Sequence, residues 1–217
     1  MNILMILANP FTHDPRVKNE AKSLVKAGHN VTILAWDKIC KHSHTEIKDG
    51  ISIVRSYNSG FMDFFFFFIF RLHWWCRKGC KDAVKLFEET NFDVIHCHDL
   101  SSFPIGIKLK RKYNRKLVYD AHEIWGYMIS RDIPKLWAKY YLWMDKQLVR
   151  FVDHIITVNK PLKEYFKNIS NKPITTVMNA KPLQTKNYEP VNNDLFTILY
   201  IGTIGKSRFL LELVDVV

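Results

Sequence analysis

The sequence predicts an α/β fold in which a doubly wound, mainly parallel sheet is covered by helices on both faces. Short, largely apolar runs at residues 3–7, 31–34, 92–97, 116–120 and 154–158 are typical of strands that are buried on both sides. Segments with apolar residues at helical spacing alternate with these runs. Because parallel strands need a crossover between them, this alternation indicates an open sheet of βαβ units.

The first unit is complete within the first 34 residues. Residues 3–7 form an apolar strand, and Asp14 followed by Pro15 is typical of a helix N-cap with proline in the first turn. Gly28 stands where a helix ends in a left-handed residue, and residues 31–34 form the second strand. Since the strand starts almost at once, we expect no signal peptide before it.

The loop between this strand and its helix, residues 8–13, contains no glycine. A dinucleotide-binding turn would carry Gly-x-Gly-x-x-Gly at this place, because the backbone must approach a pyrophosphate closely. We therefore expect no pyrophosphate cradle here.

The remaining elements follow in the same alternating order. Residues 37–48 are polar and we expect them to be irregular, whereas strands are expected at 51–54, 92–97, 116–120, 154–158 and 174–178. Helices are expected through Ala83, Leu86 and Phe87 and over residues 101–112, 125–152 and 159–166. In the long helix we expect an apolar stripe to face the core, made of Leu136, Tyr140, Trp143, Met144, Leu148 and Phe151.

The pattern restarts near the end of the chain, which predicts two domains. Residues 1–180 form a Rossmann-like domain, and the polar, proline-containing stretch 181–194 is typical of a linker. Residues 195–217 read as the first strand and helix of a second, truncated α/β domain, because a lone strand and helix cannot bury both faces.

The composition favours an anionic partner and free thiols. Lys and Arg number 32 against 21 acidic residues, giving a net charge of +11, although solvated lysine faces would give the same balance. The four cysteines form no Cys-x-x-Cys pair, so reduced thiols in the cytosol are expected.

A phenylalanine-rich stretch precedes a cluster of tryptophans and cations. Its unbroken apolar part, residues 64–70, is too short to span a bilayer. Aromatic residues followed by cations suit an element lying at the lipid headgroups, so we expect membrane contact from Phe64, Phe65, Phe66, Phe67, Phe68, Trp74 and Trp75. A core element or an oligomer contact is the alternative.

The polar residues that could form a site follow the predicted strands. In open parallel sheets ligands bind at the carboxyl ends of the strands, where the sequence places Asn9, His13, Asp14, His98, Asp99, His122 and Glu123. His96 and His98 share one strand face and could bind a metal, but no third ligand follows at a convincing spacing. We therefore expect no metal.

Several short motifs in a fixed order resemble the N-terminal half of family 4 glycosyltransferases. They are Asp14-Pro15-Arg16-Val17 with Glu20-Ala21, Gly28-His29-Asn30-Val31, Asp93-Val94-Ile95-His96-Cys97-His98-Asp99 and Tyr119-Asp120-Ala121-His122-Glu123. The residues at 153–158, Asn179-Ala180 and Leu199-Tyr200-Ile201-Gly202 follow in the matching order, so the resemblance covers almost the whole chain.

The resemblance implies a GT-B architecture of two facing Rossmann-like domains, with the acceptor on the first and a nucleotide-sugar mainly on the second. It implies transfer with retention of anomeric configuration, without metal or cofactor. Catalytic positions would be His122 and Glu123. Acceptor-side positions would be Asn9, His13, Asp14, His98 and Asp99, and donor diphosphate positions would be Gly202, Lys206 and Arg208.

Two departures from the family pattern stand out. The glutamate pair that positions the donor would lie beyond Val217, and the usual glycine-rich first loop is replaced by Asn-Pro-Phe-Thr-His. We therefore expect little transfer activity from these 217 residues alone.

Two functions from different classes are compatible with these features. The first is the acceptor-binding part of a retaining glycosyltransferase of polysaccharide biosynthesis, a cytoplasmic protein peripheral at the inner membrane face that acts on a lipid-linked or cell-surface glycan. The alternative is a non-catalytic, truncated paralogue that binds membrane or a partner. Nucleic-acid binding is disfavoured, because the aromatics cluster in one apolar block.

Overall fold

The structure is a computed structural model that describes residues 1–57, 68–131, 133–180, 198–202, 210 and 213–214. The chain divides into two compact units, Met1–Ala180 and Lys181–Val217. All strands and helices named below belong to the first unit.

The first unit is built on one eight-stranded sheet, which confirms the predicted α/β class. Its strands are β1 (Asn2–Leu7), β2 (Asn30–Asp37), β3 (Thr45–Lys48), β4 (Ile51–Tyr57), β5 (Val94–His98), β6 (Lys116–Ala121), β7 (His154–Thr157) and β8 (Ile174–Thr176). They lie in the order β3-β4-β2-β1-β5-β6-β7-β8. All neighbours are parallel except the β3–β4 pair.

Helices cover both faces of this sheet. They are α1 (Pro15–Lys26), α2 (Phe68–Glu89), α3 (Asp99–Tyr113), α4 (Trp125–Met128), α5 (Lys135–Leu148) and α6 (Lys160–Ile169). The β1–β2 crossover runs one way along the sheet and those from β4 to β8 run the other, so right-handed connections place α1 alone on one face. Two separate apolar clusters, one per face, follow from this arrangement.

The sequence features that predicted the start and the end of α1 are confirmed. The Asp14 carboxylate accepts a hydrogen bond from the Val17 backbone N–H at 3.3 Å, and Pro15 occupies the first helical position. Gly28 follows the helix with a left-handed φ of 82°. Val17 and Ala21 are the buried residues of the helix and pack on the sheet.

The expectation that residues 37–48 are irregular is wrong at their end. Thr45–Lys48 forms β3, which pairs antiparallel with β4 at the sheet edge. Asp49 and Gly50 connect the two strands with positive φ angles of 55° and 77°. An Asp-Gly pair suits this two-residue turn, because Asp tolerates a left-handed backbone and Gly adopts one freely.

The expected helix over 125–152 is interrupted, and its core stripe is confirmed only at Met144 and Leu148, which pack against the core. The structure has α4, a 3-10 turn at Ile129–Arg131, α5 starting after Pro134, and a second 3-10 turn at Val149–Phe151. Proline disfavours a helical conformation in the residue before it, so a continuous helix breaks at Pro134. The expected core residues Leu136, Tyr140, Trp143 and Phe151 are exposed, whereas the inward face carries Ala138, Tyr141, Asp145 and Val149.

Trp75 is a core residue and not a membrane contact, contrary to expectation. Its side chain is fully buried and stacks on Trp36, with ring centroids 5.3 Å apart and planes 7° apart. The adjacent Trp74 is 38% exposed. The expected contacts at Phe64, Phe65, Phe66 and Phe67 lie outside the described residues, as does the side chain of Phe68. Within the described chain, no helix has the length and apolar character needed to cross a bilayer.

Candidate functional site

The candidate site lies at the carboxyl edge of the sheet, where the strand order reverses. The chain places β2 on one side of β1 and β5 to β8 on the other. At such a point the connections leave in opposite directions and open a crevice. The loops after β1, β5 and β6 therefore meet there.

A cavity of about 230 Å³ occupies this crevice. Its walls combine titratable groups with two indole rings. The lining residues are Leu7, Ala8, Asn9, Asp14, Arg16, Val17, Trp36, Lys38, Leu72, His98, Asp99, Ser101, His122 and Trp125.

One buried carboxylate, Asp120, orders two imidazoles of the site. Its Oδ2 lies 2.9 Å from His98 Nδ1 and 2.6 Å from His122 Nε2. A carboxylate only accepts hydrogen bonds, so both of these ring nitrogens carry the proton and donate it. The opposite nitrogens, His98 Nε2 and His122 Nδ1, are buried without a hydrogen-bond partner among the described residues.

The pKa values of these three groups are shifted as expected when a carboxylate lies beside protonated imidazoles. Burial alone would raise the pKa of Asp120 and lower the pKa of His98 and His122. The hydrogen bonds and opposite charges outweigh burial in each case. The pKa of Asp120 therefore lies below its usual range, and those of His98 and His122 lie above theirs.

The strand register explains why these groups meet. His98 pairs with Asp120 across β5 and β6, and His122 follows β6 by one residue. Asp99 turns the chain into α3 with a left-handed φ of 58°, and its carboxylate accepts the His122 backbone N–H at 3.4 Å. The ends of β5 and β6 are thus tied together at the cavity.

Glu20 approaches the same cluster from α1. Its Oε2 lies 3.9 Å from His98 Nδ1. Burial, followed by the negative charge of Asp120, raises the pKa of Glu20 from 4.5 to about 7. The surroundings of this carboxyl therefore favour its protonated form over the carboxylate.

Four of these groups could hold a metal ion. Glu20, His96, His98 and Asp120 each offer a ligand atom, and the four atoms lie within 4.8 Å of one another. Imidazoles and carboxylates suit zinc and similar ions. The two carboxylates come from α1 and β6, far from the His96–His98 pair along the chain, so their spacing in the sequence does not indicate a shared site.

The loop after β1 is held by its own side chains. Asn9 Oδ1 accepts the Phe11 backbone N–H at 2.8 Å, and Asn9 Nδ2 donates to Asp14 Oδ2 at 3.0 Å. The Arg16 guanidinium lies 3.6 Å from Asp14 Oδ1. Asn9, Asp14 and Arg16 all line the cavity.

The structure places two other predicted residues less centrally. His13 is exposed and lies in a second pocket, together with Lys18, Lys48 and Asp49. Glu123 is half-buried, and burial raises its pKa, but its side chain is not part of the cavity lining.

The predicted donor residues belong to the second unit. Gly202 is exposed, and Lys206 and Arg208 lie outside the described residues.

Sequence reasoning assigned no role to several residues of the site. Asp120, Glu20, Arg16, Trp36 and Trp125 all lie in or beside the cavity. Only Asp120 could have been predicted from its position. It lies at the end of a predicted strand, next to the strand that leads to His98 and two residues before His122, where one carboxylate can bond to both imidazoles.

Comparison with known families gives one match over most of the chain. The model of Glycosyltransferase Family 4 matches residues 16–182. Among curated proteins, none matches this chain.

Solved structures share the fold at low sequence identity. Sucrose-phosphate synthase from Thermosynechococcus elongatus has a TM-score of 0.67 at 14% identity, over 82% of this chain and 48% of that one. HepE from Anabaena in complex with UDP-glucose has a TM-score of 0.55 at 12% identity, over 83% of this chain and 44% of that one. Apo UGT2 from Phytolacca americana has a TM-score of 0.60 at 8% identity, over 85% and 52%. The chain spans about half the length of each of these proteins.

Proposed function

Because the chain belongs to glycosyltransferase family 4 and its sheet has the fold of GT-B glycosyltransferases, we propose that it takes part in sugar transfer from a nucleotide-sugar, with retention of configuration. We propose a lipid-linked or cell-surface glycan as the acceptor, bound on the first unit. The observation that carries this proposal is the cavity at the strand-order reversal, where Asp120 orders the imidazoles of His98 and His122.

A nucleotide-sugar donor is supported by the charge of the cavity and by a structural neighbour. HepE was solved with UDP-glucose. Arg16 and Lys38 line the cavity in this chain, and cations favour a diphosphate. For the second unit, we propose Gly202, Lys206 and Arg208 as contacts of the donor diphosphate.

His122 is the proposed central residue of the reaction. Its Nε2–H is donated to Asp120, and its buried Nδ1 has no hydrogen-bond partner among the described residues, so we propose Nδ1 as the ring nitrogen that meets a sugar hydroxyl. The raised pKa of His122 favours the imidazolium, whose positive charge would stabilise negative charge developing on the leaving diphosphate. Glu123, next in the chain, is proposed as a second catalytic group, and Asn9, His13, Asp14 and Asp99 as acceptor contacts.

We propose that the reaction needs no metal and no cofactor. The charge of Asp120 is already balanced by hydrogen bonds from two imidazoles.

The test is a transfer assay with a panel of nucleotide-sugars, using this chain and any longer form of it. His122→Ala is expected to lower the rate by about 100-fold or more, because it removes a group aimed at developing charge. His44→Ala, which removes an exposed imidazole next to the edge strand β3 and outside the cavity lining, is the matched control and is expected to keep full activity. Turnover by His122→Ala equal to that of the control would contradict the proposal.

The panel also separates the two classes of function. Turnover of one donor identifies the sugar. Lipid binding by every form of the protein, without binding or turnover of any nucleotide-sugar, would favour a non-catalytic membrane module instead.

A further inference from the structure

Three helices on one face of the sheet share a single outer surface. The crossovers from β4 to β7 run in one direction, so α2, α3 and α5 lie on the same side, and α3 packs against both of the others. Residues 100–107 of α3 are almost entirely buried, and its outward residues are at the C-terminal end. The outward residues of α2, α5 and the end of α3 are called the outer helical face below.

One leucine and three aromatic side chains of α5 are exposed on this face. Leu136, Trp137, Tyr140 and Trp143 are 77%, 40%, 44% and 57% exposed. Tyr140 contacts Trp137 and Trp143, each with ring centroids 6.0 Å apart. They lie three or four residues apart, so they form one stripe along the helix. Burying large side chains like these is favourable, and a monomer gains nothing by leaving them in water.

Cations surround the stripe and continue across α2 and α3. Among the exposed ones are Arg77, Lys81, Lys85, Lys108, Lys135, Lys139, Lys146 and Arg150. Within the described part of the chain, none of these side chains forms an ion pair. A shallow groove between α2 and α3 contains four of the cations, with His73 and a single acid, Glu88. The surface is therefore strongly positive, and its charges are available to an external anion.

The arrangement suits a lipid surface better than a nucleic-acid strand. Single strands bind in grooves where each base stacks on a separate aromatic face. Here the rings of Trp137 and Tyr140 meet edge to face at 86°, on the outside of a helix. Aromatics that project from a helix flanked by Lys and Arg are typical of elements lying at the headgroup level of an anionic membrane.

We propose that the outer helical face docks on an anionic lipid surface, with the α5 aromatics inserted among the headgroups and the cations of α2, α3 and α5 at the phosphates. The docking surface itself does not depend on the proposed function. Only its role rests on that function, since docking would bring the cavity to a lipid-linked acceptor. Lipid binding and sugar transfer can be measured separately.

The test is cosedimentation of this chain with vesicles. Two compositions are compared, phosphatidylcholine alone and phosphatidylcholine with about one phosphatidylglycerol in three lipids. We expect binding to the mixed vesicles that weakens as salt is added, since the attraction is screened. Lys81→Gln with Lys85→Gln should lower the partition coefficient by about 25-fold, because each cation near the surface contributes about fivefold.

The matched control removes two exposed lysines from elsewhere, Lys26 on α1 and Lys48 on β3. This double Gln variant has the same net charge and should bind within about twofold of the unchanged chain. Trp137→Ala with Trp143→Ala tests the aromatic stripe and should weaken binding at least about tenfold, since it removes two inserted rings. Circular dichroism checks that each variant is folded.

Equal loss in the Lys26/Lys48 control would overturn the proposal, because it would show a response to net charge alone. Self-association that depends on Trp143, with no affinity for vesicles, would also overturn it in favour of a second copy of the chain. Retained transfer to a soluble acceptor in a variant that no longer binds lipid would leave the enzyme proposal intact and support a separate docking face.

Discussion

Asp120 and His122 are joined at the carboxyl end of β6 by a contact of 2.6 Å between Oδ2 and Nε2. The same oxygen holds His98, and the rings of His98 and His122 lie nearly parallel, 15° apart. A single buried charge thus fixes the tautomer and the orientation of both imidazoles. The position of His122 in the cavity depends on a residue that does not line the cavity itself.

Asp120→Asn should lower the pKa of His122. The amide oxygen can still accept hydrogen bonds, but it carries no charge to oppose the effect of burial, which lowers the pKa of an imidazole. The measurement is a titration of the His122 ring resonances by NMR. Asp49→Asn, which removes an equal charge from the exposed β3–β4 turn, should leave the His122 titration unchanged. An unshifted His122 in Asp120→Asn would mean that Asp120 does not set its protonation.

Trp75→Ala should destabilise the fold strongly, and Trp74→Ala should not. Trp75 is fully buried against Trp36, so its truncation leaves a cavity that costs about 3 to 5 kcal/mol. Trp74 is 38% exposed, and its loss should cost less than about 1 kcal/mol. Urea unfolding of the two variants measures the difference. Similar costs at the two positions would argue against the inward orientation of Trp75.

Gly106→Ala should also destabilise the protein, because α3 lies unusually close to the sheet there. A Cβ atom at this position would overlap with Cys97 Sγ and stand 2.8 Å from Leu117 Cδ1. Overpacking of this kind costs about 1 to 3 kcal/mol. Thermal unfolding tests the change, with Lys108→Ala on the exposed side of α3 as the control.

Combining Gly106→Ala with Cys97→Ala tests whether the contact with Cys97 Sγ causes this destabilisation. Cys97→Ala removes the sulfur that the new methyl group meets. The combined variant should therefore be more stable than the sum of the two single costs predicts. Strict additivity would show that the clash lies elsewhere.

The elements β1, α1 and β2 could be predicted because the sequence features that specify them are local. Asp14, Pro15 and Gly28 act within a few residues, and the apolar strand needs no partner to be recognised. The β3–β4 turn has an equally local signal in Asp49-Gly50, but the polar residues before it hid a short edge strand.

The candidate site could be predicted only in part, because it depends on strand register. The loops after β1, β5 and β6 follow from topology, which brought Asn9, His98 and His122 to one edge. The pairing of His98 with Asp120 is set by the register between β5 and β6, which the sequence of either strand alone does not specify. The α5 stripe was wrong at its exposed positions for another reason, since hydropathy counts an exposed tryptophan and a core tryptophan alike. The inward face instead uses Ala138 and the buried acid Asp145.

That buried acid gives a prediction about pH. Burial raises the pKa of Asp145 from 3.8 to about 7, and the hydrogen bond from Tyr119 at 3.2 Å offsets only part of the effect. Between these two pH values the folded protein binds the Asp145 proton and the unfolded chain does not. The contribution of Asp145 to stability is therefore lost as pH rises through this window.

Asp145→Asn should remove the pH-dependent loss of stability that Asp145 causes, because an amide does not titrate. Relative to the unchanged protein, the variant should gain about 3 to 4 kcal/mol between pH 4 and pH 7. Other titrating groups such as Glu20 are present in both proteins and cancel in the difference. Denaturant unfolding at a series of pH values measures it.

Asp153→Asn gives the opposite sign and so serves as the contrast. Burial alone would raise the pKa of Asp153, but its hydrogen bonds with Lys110 and the Leu117 backbone N–H hold it below the usual range. Asp153 therefore stabilises the fold above its unfolded pKa, and this stabilisation is lost as pH falls through the lower folded value. The deficit of Asp153→Asn should shrink on acidification, whereas the relative gain of Asp145→Asn should disappear there. If both differences moved in the same direction with pH, the raised pKa of Asp145 would be refuted.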